Sequence, residues 1–256
     1  MKDESDLLVT SRNGAVSSDV AACSKYGVEI LKIGGSAVDA AISTSLCLGT
    51  FNPFASGLGG GGFMVVTLPN GTSLTINFRE TAPKAANRDM FNNYPLSAQS
   101  RGLAVAVPGE IAGFEMAHRL LGRLEWGELF KEMIDLNQKG FLVTPRLERK
   151  IRFREREFLK NQTMWAWILN DIEEKGKREG ELIQRPALAQ TLSLIATEGS
   201  VAFYKGRIAQ SLVRVAQDNG GILTREDIDS YQAVLEDTIK TRWLGRDVIT
   251  CGPPCR

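Results

Sequence analysis

Asn77-Phe78-Arg79-Glu80-Thr81-Ala82-Pro83 begins about fifteen residues after the glycine run Gly57-Leu58-Gly59-Gly60-Gly61-Gly62. Between the two, Phe63 to Leu68 and Ser73 to Phe78 are apolar, partly alternating runs separated by Pro69-Asn70-Gly71-Thr72, which predicts a β-hairpin with Arg79 where its second strand ends. A planar guanidinium makes two parallel charge-assisted bonds to a carboxylate, which a lysine cannot reproduce, although an arginine at a strand end is ordinarily a surface or ion-pair residue. The glycine run satisfies G-x-G-x-x-G, but dinucleotide binding needs a strand before it and a helix after it. Here a helix is predicted before and a strand after, leaving a close packing turn or a set of backbone donors beside a pocket.

Working outward, Val20 to Ile33 and Ala37 to Thr50 read as two helices joined at Gly34-Gly35, with Ser36 and Asp39 at capping-box spacing. Cys23 and Cys47 lie twelve residues either side of Gly35, so an antiparallel pair would bring them to one height, as a disulfide or as two buried thiols. Ser17, Ser18 and Asp19 read as caps rather than as a serine nucleophile. Leu103 to Val107 is predicted as a strand, Pro108-Gly109 as the opening of a helix to about Leu121, and Leu124 to Lys139 as a further helix. Arg207 to Asp218 is a helix ended by Asn219-Gly220-Gly221; Thr224 and Asp227 have capping-box spacing, and Tyr231 follows the short helix they open. Ile239 to Trp243 and Val248 to Cys251 pair around Leu244-Gly245-Arg246-Asp247. Helices before and after hairpin strands give a mixed α+β fold with a largely antiparallel sheet and no domain boundary beyond an extension over 1–13.

The 256 residues are 43% hydrophobic, enough for a sizeable core, and 31 basic against 30 acidic residues give no field that would steer nucleic acid. Arg146 to Lys160 carries seven basic and three acidic residues but reads as a solvated helical face, evened by the five acidic residues of Asp171 to Glu181. Trp165 and Trp167 read as packing residues. His118 is the single histidine, unaccompanied by a nucleophile motif, and Cys251 and Cys255 lack partners for a metal site. No metal or cofactor is implied. Met1 to Asn13 is polar and acidic, unlike a signal peptide, and no apolar run reaches membrane-spanning length. Asn70-Gly71-Thr72 and Asn161-Gln162-Thr163 are sequons, so Asn70 and Asn161 are glycan acceptors if the chain is secreted.

The Arg79 motif and the glycine run resemble the large subunit of the gamma-glutamyltransferases, or glutathione hydrolases, as do Gly14-Ala15-Val16, Gly34 to Ala41, Ala106-Val107-Pro108-Gly109-Glu110 and Ala202-Phe203-Tyr204-Lys205-Gly206. The resemblance runs from about Ser11 to Pro254. It implies an N-terminal nucleophile hydrolase, a four-layer αββα sandwich shared between two subunits, acting on the γ-glutamyl amide of glutathione and related compounds. It assigns Arg79 to the α-carboxylate of the glutamyl group, Glu80 to orienting its neighbours, and a structural role beside the active site to the glycine run. It favours a Cys23–Cys47 disulfide, and with it an oxidising, cell-surface or secretory setting.

The family's nucleophile is the N-terminal threonine of a small subunit in a Thr-Thr-His context. No Thr-Thr pair occurs in this sequence, and its one histidine follows Ala117. The expectation is a large-subunit portion that is truncated before the small subunit, inactive alone, and left with an unpaired sheet edge. The alternative is a non-catalytic homologue acting as an assembly partner.

Overall fold

A computed structural model of the chain describes residues 10–255 apart from 94, 171 and 173. Residues 1–9 of the N-terminal extension, and Asp171 and Glu173 of the acidic stretch, lie outside the described residues.

Helices α1 (Ala21–Lys32) and α2 (Ala37–Phe51) turn back at Gly34, whose φ of +97° is a conformation that L side chains rarely adopt. Ser36 and Asp39 form the capping box: Asp39 N donates to Ser36 Oγ at 3.1 Å and Ser36 N to Asp39 Oδ2 at 2.7 Å. The same Oδ2 accepts Arg123 N at 2.9 Å and Leu124 N at 3.3 Å, so one fully buried carboxylate both starts α2 and anchors a later turn. At α1 the cap is Val20, without a side-chain bond. Ser18 instead donates to Val20 O, and Asp19 pairs with Arg146, which corrects the capping assignment of Ser17, Ser18 and Asp19. Cys23 and Cys47 are joined across the pair, their Cα atoms 5.4 Å apart, and Cys251 is joined to Cys255.

Strands β1 (Phe63–Thr67) and β2 (Ser73–Asn77) form the predicted hairpin, and β2 pairs on its other side with β7 (Val234–Glu236), giving an antiparallel sheet in the order β1-β2-β7. The central strand buries Thr75 and Ile76. Helix α3 (Glu110–Leu121) follows Pro108-Gly109 as predicted. Leu103 to Val107 is not a strand: a 3-10 turn spans Gly102–Ala104, and only Val107 bridges to Thr81. Gly102 is held against Asn219 O, where a Cβ would lie 2.1 Å from Ala216 O, and this docking overrides the segment's apolar pattern. The helix expected over Leu124 to Lys139 opens as a 3-10 turn, Trp126–Phe130, before α4 (Lys131–Lys139), because the Trp126 indole donates to Ile195 O.

The rest of the chain adds β3 (Phe141–Leu142), α5 (Pro145–Phe158), α6 (Gln162–Trp165), β4 (Leu169–Asn170), β5 (Lys175–Gly176), β6 (Leu182–Ile183), α7 (Pro186–Glu198), α8 (Ser200–Tyr204), α9 (Arg207–Asp218) and α10 (Arg225–Asp229). It closes with the hairpin β8 (Ile239–Trp243) and β9 (Arg246–Thr250). One core joins α1–α4 and α7–α9 to the sheet around Ile42, Ile76, Ile111, Phe130 and Ile195. A smaller core holds Leu147, Ile151 and Phe158 of α5 against Ile168 and Ile183, leaving the helix's arginines at the surface, and Trp165 packs there on Phe158.

Cross-linking residues 24 apart should contribute about 2–4 kcal/mol through the unfolded state. Cys23→Ser should therefore lower the thermal midpoint under non-reducing conditions, and with a reductant, which opens Cys251–Cys255 in both proteins, parent and variant should melt together. Equal midpoints without reductant would show that the bond does not form.

Candidate functional site

The glycine run is a crossing point of three backbones. Gly62 N donates to Phe78 O at 3.2 Å and Phe78 N to Gly62 O at 2.9 Å, while Gly60 O accepts hydrogen bonds from Gly109 N and Glu110 N at 2.8 and 2.9 Å. The hairpin's last pair and the first turn of α3 are thus fixed to the same loop. A Cβ at Gly61 would sit 2.3 Å from Phe78 O, one at Gly109 2.0 Å from the same oxygen, and one at Gly113 2.1 Å from Phe78 Cγ. Only glycine admits approaches that close. Helix α2 precedes the run and β1 follows it, opposite to the nucleotide-binding order.

Arg79 leaves this junction with its backbone held on both sides. Its N donates to Asn77 Oδ1 at 3.0 Å, and its carbonyl accepts the Tyr231 hydroxyl at 2.8 Å. Beyond it, Thr81 and Val107 exchange backbone hydrogen bonds. The side chain is 57% exposed, and among the described residues its one ion pair is Nη1 to Glu80 Oε2 at 3.1 Å. The motif therefore presents a guanidinium outward from a rigid backbone.

Glu80 lies between Arg79, with which it pairs, and Glu110, on which its charge acts. Glu110 is 5% exposed, and its Oε1 has no hydrogen bond among the described residues. Burial, reinforced by the charge of Glu80, pushes its carboxyl up to about 8, although the Gly57 backbone and the Ser56 side chain pull it down. Burial, with Glu80 again adding, pushes the Tyr231 hydroxyl up to about 12. At neutral pH Glu110 thus holds its proton and Tyr231 remains a donor to Arg79 O.

Glu110 and Gly57 to Gly60 also line a cavity of ≈ 430 Å³, closed by Thr50 and Phe54 near the end of α2 and by Arg185 and Leu188 at the start of α7. Arg185 lies with its Cζ 4.2 Å from the Trp167 ring centroid, so Trp167 does more than pack. Burial lowers the Arg185 guanidinium to about 10.

The structure brings Arg79, Glu80 and the glycine run together and sets the other sequence candidates apart. His118 Nε2 lies 2.8 Å from Leu124 O and its ring packs on Trp126, which makes it a holder of the turn after α3. Asn70 sits exposed in the β1–β2 turn, and Asn161 is the exposed cap of α6. Glu110, Tyr231 and Arg185 were missed as site residues. Glu110 carried one signal, an acidic residue directly after Pro108-Gly109 where α3 starts to bury.

Helices around an antiparallel sheet built on this junction define the fold of the N-terminal nucleophile hydrolases. The gamma-glutamyltranspeptidase of Helicobacter pylori superimposes with a TM-score of 0.92 at 30% identity, covering 96% of this chain and 72% of that one. The sequence profile of gamma-glutamyltranspeptidase matches residues 23–256, and the chain belongs to this family. It is 45% identical over 254 residues to glutathione hydrolase proenzyme 1 of Schizosaccharomyces pombe, covering 99% of this chain and 40% of that protein. It is 39% identical over 249 residues to glutathione hydrolase 3 of Arabidopsis thaliana, covering 96% and 39% respectively. The chain thus spans about 40% of the length of these curated relatives.

Glu110 binds its proton more tightly when folded, so it stabilises the fold fully below its usual value of 4.5, and that contribution is lost as pH rises to about 8. The loss is on the order of 3–5 kcal/mol. Glu110→Gln should flatten this part of the stability profile and melt higher than the parent at pH 9. A parallel decline in both proteins, followed by unfolding at pH 5, 7 and 9, would place the titrating group elsewhere.

Proposed function

We propose that this chain forms the substrate-holding part of a glutathione hydrolase, with Arg79 gripping the α-carboxylate of a γ-glutamyl group. The observation that carries this reading is the outward Arg79 guanidinium on a backbone fixed by Asn77, Tyr231 and the Gly60–Gly62 junction. A rigid backbone limits where the fork can point, and a bidentate pair then fixes the glutamyl group so that its remote amide meets the nucleophile at a set distance. Glu80, on the inner side of Arg79, helps hold the guanidinium before substrate arrives.

The reaction itself needs a threonine hydroxyl that this sequence does not offer in the family's Thr-Thr-His context. In this proposal it comes from a small subunit. Its oxygen attacks the γ-glutamyl carbonyl, the amine leaves with a proton, and water or an amino acid then takes the acyl group. Glutathione, its conjugates and other γ-glutamyl compounds share the glutamyl end that Arg79 would read. Asn70 and Asn161 are open to glycosylation in an assembly that enters the secretory pathway.

In the assembled two-subunit protein, Arg79→Ala should reduce kcat/KM for glutathione by about 30- to 1000-fold, equivalent to roughly 2–4 kcal/mol for a lost charge-assisted pair. Steady-state release of γ-glutamyl product checks this. An unchanged kcat/KM would remove Arg79 from substrate binding.

A further inference from the structure

Arg185 stands where a cation is costly. It is the N-cap residue of α7, at the end of a 13-residue helix whose dipole is positive. Burial has lowered its guanidinium, and it has no ion pair or side-chain hydrogen bond among the described residues. Only Trp167 compensates, through its ring face at 4.2 Å. With that face covered, the unused donors are the in-plane N–H groups at the guanidinium edge. That is the geometry which receives a carboxylate through two parallel bonds.

The surroundings favour the same ligand. Arg185 is one wall of the ≈ 430 Å³ cavity, a volume suited to a small molecule. The cavity is also lined by Glu110, which is uncharged at neutral pH, by Ser56 and by the Gly57 to Gly60 backbone, while the Thr50 hydroxyl in its wall already donates to Leu46 O. At the mouth, Phe54 lies beneath Lys150 at 5.4 Å and Arg146 at 5.8 Å, and Arg146 is already paired with Asp19. Among the described residues Glu110, protonated at neutral pH, is the one carboxyl group that lines the cavity, so an anion entering it meets the Arg185 cation and no opposing charge.

We propose that this cavity is a second binding site, separate from Arg79, for a small molecule bearing a carboxylate, with Arg185 as its receptor and Trp167 holding the guanidinium plane. A carboxylate here relieves the cost of a half-buried cation that lacks an ion pair among the described residues, whereas a neutral amide of the same shape does not.

The test is a titration of the chain with glutarate at constant ionic strength, following the indole N–H resonance of Trp167, assigned by its loss in Trp167→Phe. The expected result is a saturable shift in the millimolar range or tighter, absent with glutaramide, retained in Arg79→Gln, and at least tenfold weaker in Arg185→Gln. Arg185→Lys, which keeps the charge without the fork, should fall between. Retention in Arg79→Gln separates this site from the proposed clamp, so either can fail without the other. An equal response to glutaramide, an unaltered titration in Arg185→Gln, loss in Arg79→Gln, or no saturable shift of Trp167 would overturn the proposal. The comparison of glutarate with glutaramide uses the unmodified chain, so it decides the matter even where a variant fails to fold.

Discussion

Four backbone hydrogen bonds around Gly60 and Gly62 hold the architecture of the candidate site. Gly62 closes the hairpin onto Phe78, and Gly60 takes both donors at the start of α3. Those donors are backbone N–H groups that a helix cannot satisfy internally, so the glycine loop serves as the cap that no side chain provides at Gly109. Displacing the loop would release the helix start, the strand end and the Arg79 backbone together.

Burial then sorts the charges on this frame. Glu80 and Glu110 face one another across Gly60, and two neighbouring carboxylates in a dry setting do not both ionise readily. The deeper one keeps its proton. Arg79 lies on the solvent side of the pair, more than half exposed and ion-paired with Glu80. Tyr231 links this arrangement to the segment before β7, since its hydroxyl supports Arg79 O and its ring stacks on Tyr204 at 5.8 Å.

Local chemistry made much of this legible in the sequence. The two capping boxes, the Asn70-Gly71 turn, the Pro108-Gly109 helix start and the glycine stop after α9 all depend on residues within a few positions of one another. The failures share a cause at longer range. Leu103 to Val107 has a strand's composition, but Gly102 docks on the end of α9 and bends it into a 3-10 turn. Arg185 belongs to no motif in the sequence; only folding sets it against the Trp167 ring and in one cavity with Gly57 to Gly60. Glu110 stands in a quoted motif, yet its proton depends on Glu80, thirty residues earlier, and on depth that no spacing records. Arg79 was found as a residue by its motif, and its rigidity came from Tyr231 far along the chain.

Phe78 carries a consequence for how such sequences can drift. Its ring and carbonyl press on glycines from three separate segments, Gly61 and Gly62 in the loop, Gly109 before α3, and Gly113 within it. A side chain gained at any of these would need a smaller residue at 78 or a shifted strand, and shrinking the ring alone would open a void bounded by bare backbone. Neither change is tolerable by itself, so the positions are expected to vary as a block or not at all. Relatives that have lost the ring should therefore betray it by side chains at several of those glycines at once.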